Sequence, residues 1–515
     1  MARKHHLRQL GVLTVTAVLA LTACNPSSDT EGSSAGEPLI VARTGDIDGR
    51  DPAVATAFQT VQTLDLVYDT LIDTTDAGDL EPSLATKWDV SEDGQTVTLT
   101  LREGVTFHNG ADFTAADAKA TIDRVMDPDV GSVVASNLVN VSEVRAEGDT
   151  TLVFELKQPD TALLRVLAST GTAILDEKDI SADRVGREVN GTGAFRWGSW
   201  DQGQQVTLEA NEDYWGDVPE FETVELRVIP DESSILSGMN AGSFDLGIVS
   251  DPSVAQQVDT EAMQLLSQPT LSYHALMLNG RRGPLTKLPV RQAIACALDR
   301  QQVVKTAYFG QAEVTGPITS PGYEYDDTEG LPCDPPDLDA AEDLLADAGY
   351  PDGFTLETIV MVGEYATATN VAQSVQGQLD QIGVELDLQE QQTNVYVDNW
   401  LEADYDAAVA LNGGSTDPYL MYGRYYTSDA SLTKPAGLTD AGLDRLLTQA
   451  NSTTDEALRQ QLFGDLQQRL LELSPWVWLQ QNQSYYLVGP DVAGFKALPT
   501  ESLEYLTTAT WEDAG

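Results

Sequence analysis

From Tyr273 to Leu278 the chain is almost unbroken apolar, and it stops at Asn279-Gly280. A short run of that kind, ended by turn residues, fits a strand covered on both faces. A polar loop, GRRGPLTK, follows, and Pro289 then sits where a first helical turn tolerates it. Val290, Ala293, Ile294, Ala297 and Leu298 make one apolar stripe at helical spacing. Alone, this is one strand and one helix of an ordinary core. We read it as the place where the chain leaves one lobe and begins another, a reading the rest of the sequence tests.

The two ends are of a different kind. Arg3, Lys4 and Arg8 form a basic head, and Leu10 to Ala20 supply an apolar core too short to span a bilayer comfortably. The segment ends in Leu21-Thr22-Ala23-Cys24, which resembles the lipobox of bacterial lipoproteins. That resemblance implies a leader over residues 1–23, acylation of Cys24 through its sulfur, and Cys24 as the first mature residue. Residues 24–37 hold no large apolar side chain before Pro38, so they read as a flexible tether. About thirteen such residues reach roughly 20 Å root-mean-square, enough to hold a folded body just off a membrane.

Charge excludes whole classes of partner. The chain has 81 acidic against 29 basic residues, and losing Arg3, Lys4 and Arg8 with the leader leaves 26 basic, a formal charge of −55. Such a body is repelled by nucleic acid and by anionic headgroups, so membrane attachment is expected through the lipid alone. The remaining cysteines are Cys296, on the apolar stripe, and Cys333, in LPCDPP. Outside the cytoplasm such a pair suggests one disulfide. The other reading makes Cys296 a small buried apolar residue.

Globular patterning begins at Pro38 with PLIVAR, a short strand, and Ala53 to Leu71 carries a helical pattern through Phe58, Val61, Leu64, Val67, Tyr68 and Leu71. Val97, Leu99 and Leu101 alternate with threonines after the turn Glu92-Asp93-Gly94-Gln95. Thr114 with Asp117 has the form of a capping box, and Gly148-Asp149 turns a hairpin. FETVELRVIP, DESSILSGMNAG and SFDLGIVS alternate strand and helix, and FTLETIVMV to IGVELDLQEQ repeats the pattern later. A helix is expected over Leu443 to Leu473, and PWVWLQQ, residues 475–481, as a second crossing between lobes.

Four dispersed segments carry a family resemblance. LATKWDVSEDGQTVTLTLREGVTFHNG looks like the signature of the extracytoplasmic solute-binding proteins of peptide and nickel ABC transporters, family 5. Gly191-Thr192-Gly193-Ala194-Phe195, followed by Asn211 to Trp215, resembles that family's GTGP-then-NxxYW pattern. Asn279 ahead of Pro289-Val290-Arg291-Gln292-Ala293-Ile294 is similar to its lobe crossover, and Asp339 to Tyr350 to its AxxLLxxAGY helix. The resemblance implies an α/β fold: a two-lobed periplasmic-binding-protein-like clamshell, type II and cluster C-like, with an extra inserted subdomain in the first lobe. Lobe I would take residues 38–275 and 482–515, with the insertion at about 71–189, and lobe II residues 280–480. Two crossings make a hinge, and a hinge permits closure on a ligand. The implied partners are a small solute and ABC permease and ATPase subunits, with the chain a monomer and no cofactor.

Catalysis finds little support. The chain has four histidines, and His5 and His6 leave with the leader, so His108 and His274 remain. There is no GxSxG elbow on a strand-to-helix turn, no HExxH, CxxC or Walker pattern, and no CxxxH or HxxxH metal spacing. A secreted acidic hydrolase is the competing enzyme reading, and with this many carboxylates a chance acidic pair carries no weight. Binding without turnover is the better account, as an importer's receptor or as a sensor or chaperone on the same fold.

Ligand-cleft candidates are aromatic and polar residues on the crossings and facing loops: Phe58, Gln59, Tyr273, His274, Glu364, Tyr365, Asp417, Tyr419, Trp478 and Gln480. Peptide-binding members place an aspartate four residues before the proline of a motif like Thr416-Asp417-Pro418, to pair with the peptide's amino terminus. Here that position is Gly414. Dipeptide binders hold the carboxylate with an arginine in a second-lobe loop; here the loop reads MVGEYATATN, with Glu364 where positive charge is wanted. Both departures weaken recognition of free peptide termini. A cationic or neutral solute is the alternative, with Glu364 and Asp417 facing it.

Overall fold

A computed structural model describes residues 36–75, 78–320, 323, 333, 335–362, 367–428 and 430–512. The leader, Cys24 and most of the tether lie outside the described residues. No helix among them is long and apolar enough to cross a membrane.

The apolar run at Tyr273 is the end of a 15-residue strand, Gln264–Leu278. It pairs antiparallel with Trp476–Val488, from Gln264 opposite Val488 to Met277 opposite Trp476. The register breaks between Pro269 and Tyr273, as suits a residue with no N–H to give the ladder. These two long strands belong to both halves of one ten-stranded sheet. Its order is Val384–Gln392, Phe354–Val362, Ala407–Asn412, Gln264–Leu278, Trp476–Val488, Leu246–Val249, Leu39–Arg43, Thr223–Val228, Gln205–Ala210, Phe195–Asp201.

The unbroken hydrophobicity has a direct cause. Side chains alternate between faces along a strand, and here both faces are covered. Leu276 and Leu278 enter a core with Val290, Ile294, Leu356, Val360 and Val477. Tyr273, Ala275 and Met277 enter a second core with Tyr422, Trp476 and Trp478. The stripe after Pro289 forms the helix Leu288–Ala297, which buries Val290, Ala293, Ile294 and Ala297. Cys296 on that helix is joined to Cys333 as a disulfide, Cα to Cα 4.6 Å. The bridge spans 37 residues, so Cys296→Ser is expected to lower unfolding free energy by about 4 kcal/mol on the chain-entropy account, read from the urea midpoint.

The other half of the sheet has its own core from Leu39, Val41, Phe195, Leu208, Val224, Leu226 and Leu246, joined by Tyr486 and Leu503 from the end of the chain. A separate four-stranded antiparallel sheet, ordered Ala85–Val90, Thr96–Leu101, Thr151–Leu156, Val141–Ala146, packs against the helix Ala115–Met126. That helix starts with a reciprocal capping box between Thr114 and Asp117. The GTG segment also has a steric reason. Gly193 N–H donates to Val67 O at 3.0 Å, and a Cβ at Gly191 would fall 2.0 Å from the same oxygen.

Two helices differ from expectation. Only Phe58–Leu64 of the Ala53–Leu71 pattern is α-helix; Val67 and Tyr68 N–H both fall back on Leu64 O, and the chain then runs beside Gly191 and Gly193. Leu443–Leu473 is two helices, Ala441–Ser452 and Glu456–Leu473, because the Asp455 side chain caps a new start by accepting from Ala457 and Leu458 N–H.

Candidate functional site

A cavity of about 710 Å³ opens between the halves of the sheet. Each wall follows from local chain geometry. Helix Phe58–Leu64 buries Thr60, Thr63 and Leu64 and turns Phe58, Val61 and the following Asp65 to the cavity. The facing wall is the loop Gly413 to Thr416, which leaves the strand Ala407–Asn412, together with Leu420 and Arg424. Those two share a face of the helix Pro418–Tyr426 at i, i+4 spacing, while Met421, Tyr422 and Tyr425 are buried behind it. The crossing strand contributes only Leu271 and Ser272, just before its apolar run.

Gly414 sits where nothing larger fits. A Cβ there would stand 1.9 Å from Leu271 O and 2.5 Å from Leu271 C. The position at which peptide-binding relatives are expected to hold an aspartate is thus closed by backbone.

Asp417, next in the loop, is wholly buried. Its Oδ2 meets Arg459 Nη2 at 2.5 Å and Arg165 Nε at 3.2 Å, and its Oδ1 accepts from Tyr419 N–H at 2.8 Å, capping the helix. Arg165 comes from the inserted layer, so this group ties that layer to the far lobe. Thr161 N–H donates to Asn451 O at 2.9 Å and Ala162 N–H to Asn451 Oδ1 at 3.0 Å along the same seam.

Acids dominate the near wall. Asp65 accepts from Thr170 Oγ1 at 2.5 Å, and burial pushes its carboxyl up to about 7. Asp69 accepts from Thr192 Oγ1 at 2.7 Å, Trp215 Nε1 at 2.8 Å and Tyr214 OH at 3.1 Å. Burial raises Asp69, Asp73 and Glu501 as well, and Asp73 and Asp69 each push a neighbouring acid further up. Because the folded value at Asp65 lies above the usual carboxylate value, the unfolded chain releases that proton first. Stability is therefore lost as pH rises from about 4 towards 7. Asp65→Asn is expected to match the wild type at pH 4 and exceed it above pH 7 by on the order of 2 kcal/mol, measured as paired urea midpoints.

Of the sequence candidates, Phe58 lines the cavity. Its neighbour Gln59 turns aside against Gly45, and its carbonyl accepts from Arg43 Nη1 at 2.9 Å. Tyr273 and Trp478 are core residues, with Trp478 Nε1 donating to Tyr422 OH at 3.0 Å. His274 is buried on the opposite face from Tyr273, 2.9 Å from Tyr308 OH, and burial holds it neutral with its pKa down at about 3. Gln480, its register partner, is equally buried. Tyr419 is half-buried, its ring against Gly423, and Asp417 is spent on two guanidiniums. The pairing of Asp417 with Glu364 around a cation therefore does not stand, since Asp417 has no exposed surface. Glu364 and Tyr365 lie outside the described residues. Asp65, Asp73, Arg165, Arg424 and Glu501 were not singled out from sequence. The spacing 58, 61, 65 was the available signal, since it gives one helical face ending on an acid. Among the described residues no group of His, Cys, Asp and Glu is arranged to hold a metal ion.

Residues 79–432 match the model of the bacterial extracellular solute-binding proteins, family 5. The chain belongs to this family. Members are substrate-binding proteins of ABC importers and not enzymes. The glutathione-binding protein GsiB of Escherichia coli strain K12 is 26% identical over 455 residues, 83% of this chain and 85% of that protein. The binding protein AgaA of A. tumefaciens R10, solved with agropinic acid, is 25% identical with a TM-score of 0.78, over 93% of this chain and 99% of that one. DppA from Helicobacter pylori, solved with the peptide STSA, shares the fold at 24% identity and a TM-score of 0.76, over 93% of this chain and 98% of that one. The fold is thus the two-domain, family 5 type of binding protein.

Proposed function

We propose that this chain is a lipid-anchored receptor on the outer face of a bacterial cell membrane. It captures a peptide-sized solute between its lobes and hands it unchanged to a membrane permease driven by an ATPase. The observation that supports this most is the cavity itself. Its 710 Å³ falls in the range of small-molecule sites, and its lining comes from both halves of the sheet's flanking loops and helices, Phe58 to Asp65 on one side and Gly413 to Arg424 on the other. A ligand touching both walls gains contacts that only the closed arrangement offers, which is what tips a hinge. Relatives bind glutathione and agropinic acid, solutes of a size suited to such a space. Anchoring through Cys24 supplies proximity to the permease without a spanning helix.

Two measurements test the reading. Cells fed a clickable palmitate analogue should label the wild type and leave Cys24→Ser unlabelled and released. Deleting the gene should abolish uptake of the solute that copurifies with the protein, and retained uptake would contradict the receptor role.

A further inference from the structure

The cavity's polar groups are unequally distributed between its walls. Six acids line it, Asp65, Asp69, Asp73, Glu81, Glu501 and Glu504, against Arg165 and Arg424 as the basic residues of the lining. Four of them, Asp65, Asp69, Asp73 and Glu501, accept from neutral donors: the Thr170, Thr192, Tyr214 and Ser484 hydroxyls, the Trp215 indole and the Thr74 amide. Among the described residues no lysine or arginine is within ion-pair distance of any of the four. Arg102, which bears on Asp69, stacks 4.3 Å over the Trp215 ring and donates to Ser83 O. Arg165 is committed to Asp417 across the seam. Arg424 remains on the far wall, 5.0 Å over the Tyr425 ring.

A buried carboxylate without a cationic partner is costly, and natural sites supply one. Here the space beside these acids is the solute's own. Asp69 already accepts from three donors, so of these four Asp65, Asp73 and Glu501 keep the most capacity to meet a ligand. We propose that the captured solute is a polycation of peptide or polyamine size. Two or more of its ammonium or guanidinium groups rest against Asp65, Asp73 and Glu501, and Arg424 offers one place for a carboxylate. This rests on reading the cavity as the solute site. It also sets the polarity of binding: positive charge faces the first lobe, because the second-lobe position at Gly414 is sealed by the Leu271 backbone.

The test is calorimetric titration of full-length protein, freed of bound solute by unfolding and refolding, with trilysine, spermidine, trialanine and triglutamate. Trilysine or spermidine should bind at least tenfold tighter than trialanine, and triglutamate should not bind. Preference between the first two separates a basic peptide from a polyamine. Asp73→Asn and Asp65→Asn keep their local hydrogen bonds as acceptors, and each should weaken the cation at least tenfold while the circular dichroism spectrum stays unchanged. Arg424→Ala should weaken trilysine more than spermidine, which has no carboxylate. Failure of both cations to bind, or cation affinity indifferent to both acid substitutions, overturns the inference. Trialanine binding that responds to Arg424→Ala and not to Asp73→Asn overturns it while leaving the cavity as the site. Binding that ignores substitutions in both walls removes the cavity itself.

Discussion

Asp417→Ala is expected to lower the unfolding free energy by about 3–5 kcal/mol, the cost of leaving a buried guanidinium without its counter-ion. Asp417 has no exposed side-chain surface and Arg459 shows 4%. Removing the carboxylate strands Arg459, and it also removes the cap of helix Pro418–Tyr426, worth about 1 kcal/mol. Asp417→Asn should recover the cap and little of the charge term. Arg165→Ala is the informative contrast. It deletes the partner that reaches over from the inserted layer and leaves the Asp417–Arg459 pair intact. Its urea midpoint should stay near that of the wild type while the closed arrangement loses population, visible as a larger radius of gyration for solute-loaded protein. If Arg165→Ala and Asp417→Ala lose equal stability, the seam is ordinary core and not a contact made on closing.

Gly414→Asp is expected to abolish binding of the copurifying solute, by at least a hundredfold, with a stability cost of about 1–3 kcal/mol. The side chain cannot be accommodated by rotation, because its first carbon already meets backbone at 1.9 Å. The loop Gly413 to Thr416 must move, and with it the wall that holds Leu420 and Arg424. The substitution places the acid that peptide-binding relatives are expected to use, so a simple family analogy makes the opposite prediction: retained or improved binding of a free amino terminus. Titration with trialanine decides between them.

The parts of the fold legible in sequence are those where one short-range rule acts unopposed. The Tyr273 to Leu278 run announced a strand with two covered faces because both cores there are apolar. Gly94 and Gly148 stand at φ of +68° and +66°, which is what turns at those positions require. Pattern misled where packing substitutes for helix. Val67, Tyr68 and Leu71 are spaced as a helix would space them, yet they are buried by an irregular passage along the GTG segment. Asp455 interrupts an apolar period because a cap offers its neighbours' amides a better acceptor than the preceding turn. The site was the hardest part. Aromatic and polar residues on the crossings were natural ligand candidates, but a sheet covered on both faces hides them. The cavity is built instead from the loops and helix ends beyond the strands, where spacing says little about direction.

Small-angle scattering tests the central claim most directly. Protein emptied by unfolding and refolding is measured alone, then after the small molecules it released are added back. The account predicts a smaller radius of gyration on re-addition, reversed when they are dialysed away. Superimposable profiles, with the solute shown by mass to be bound, would contradict it.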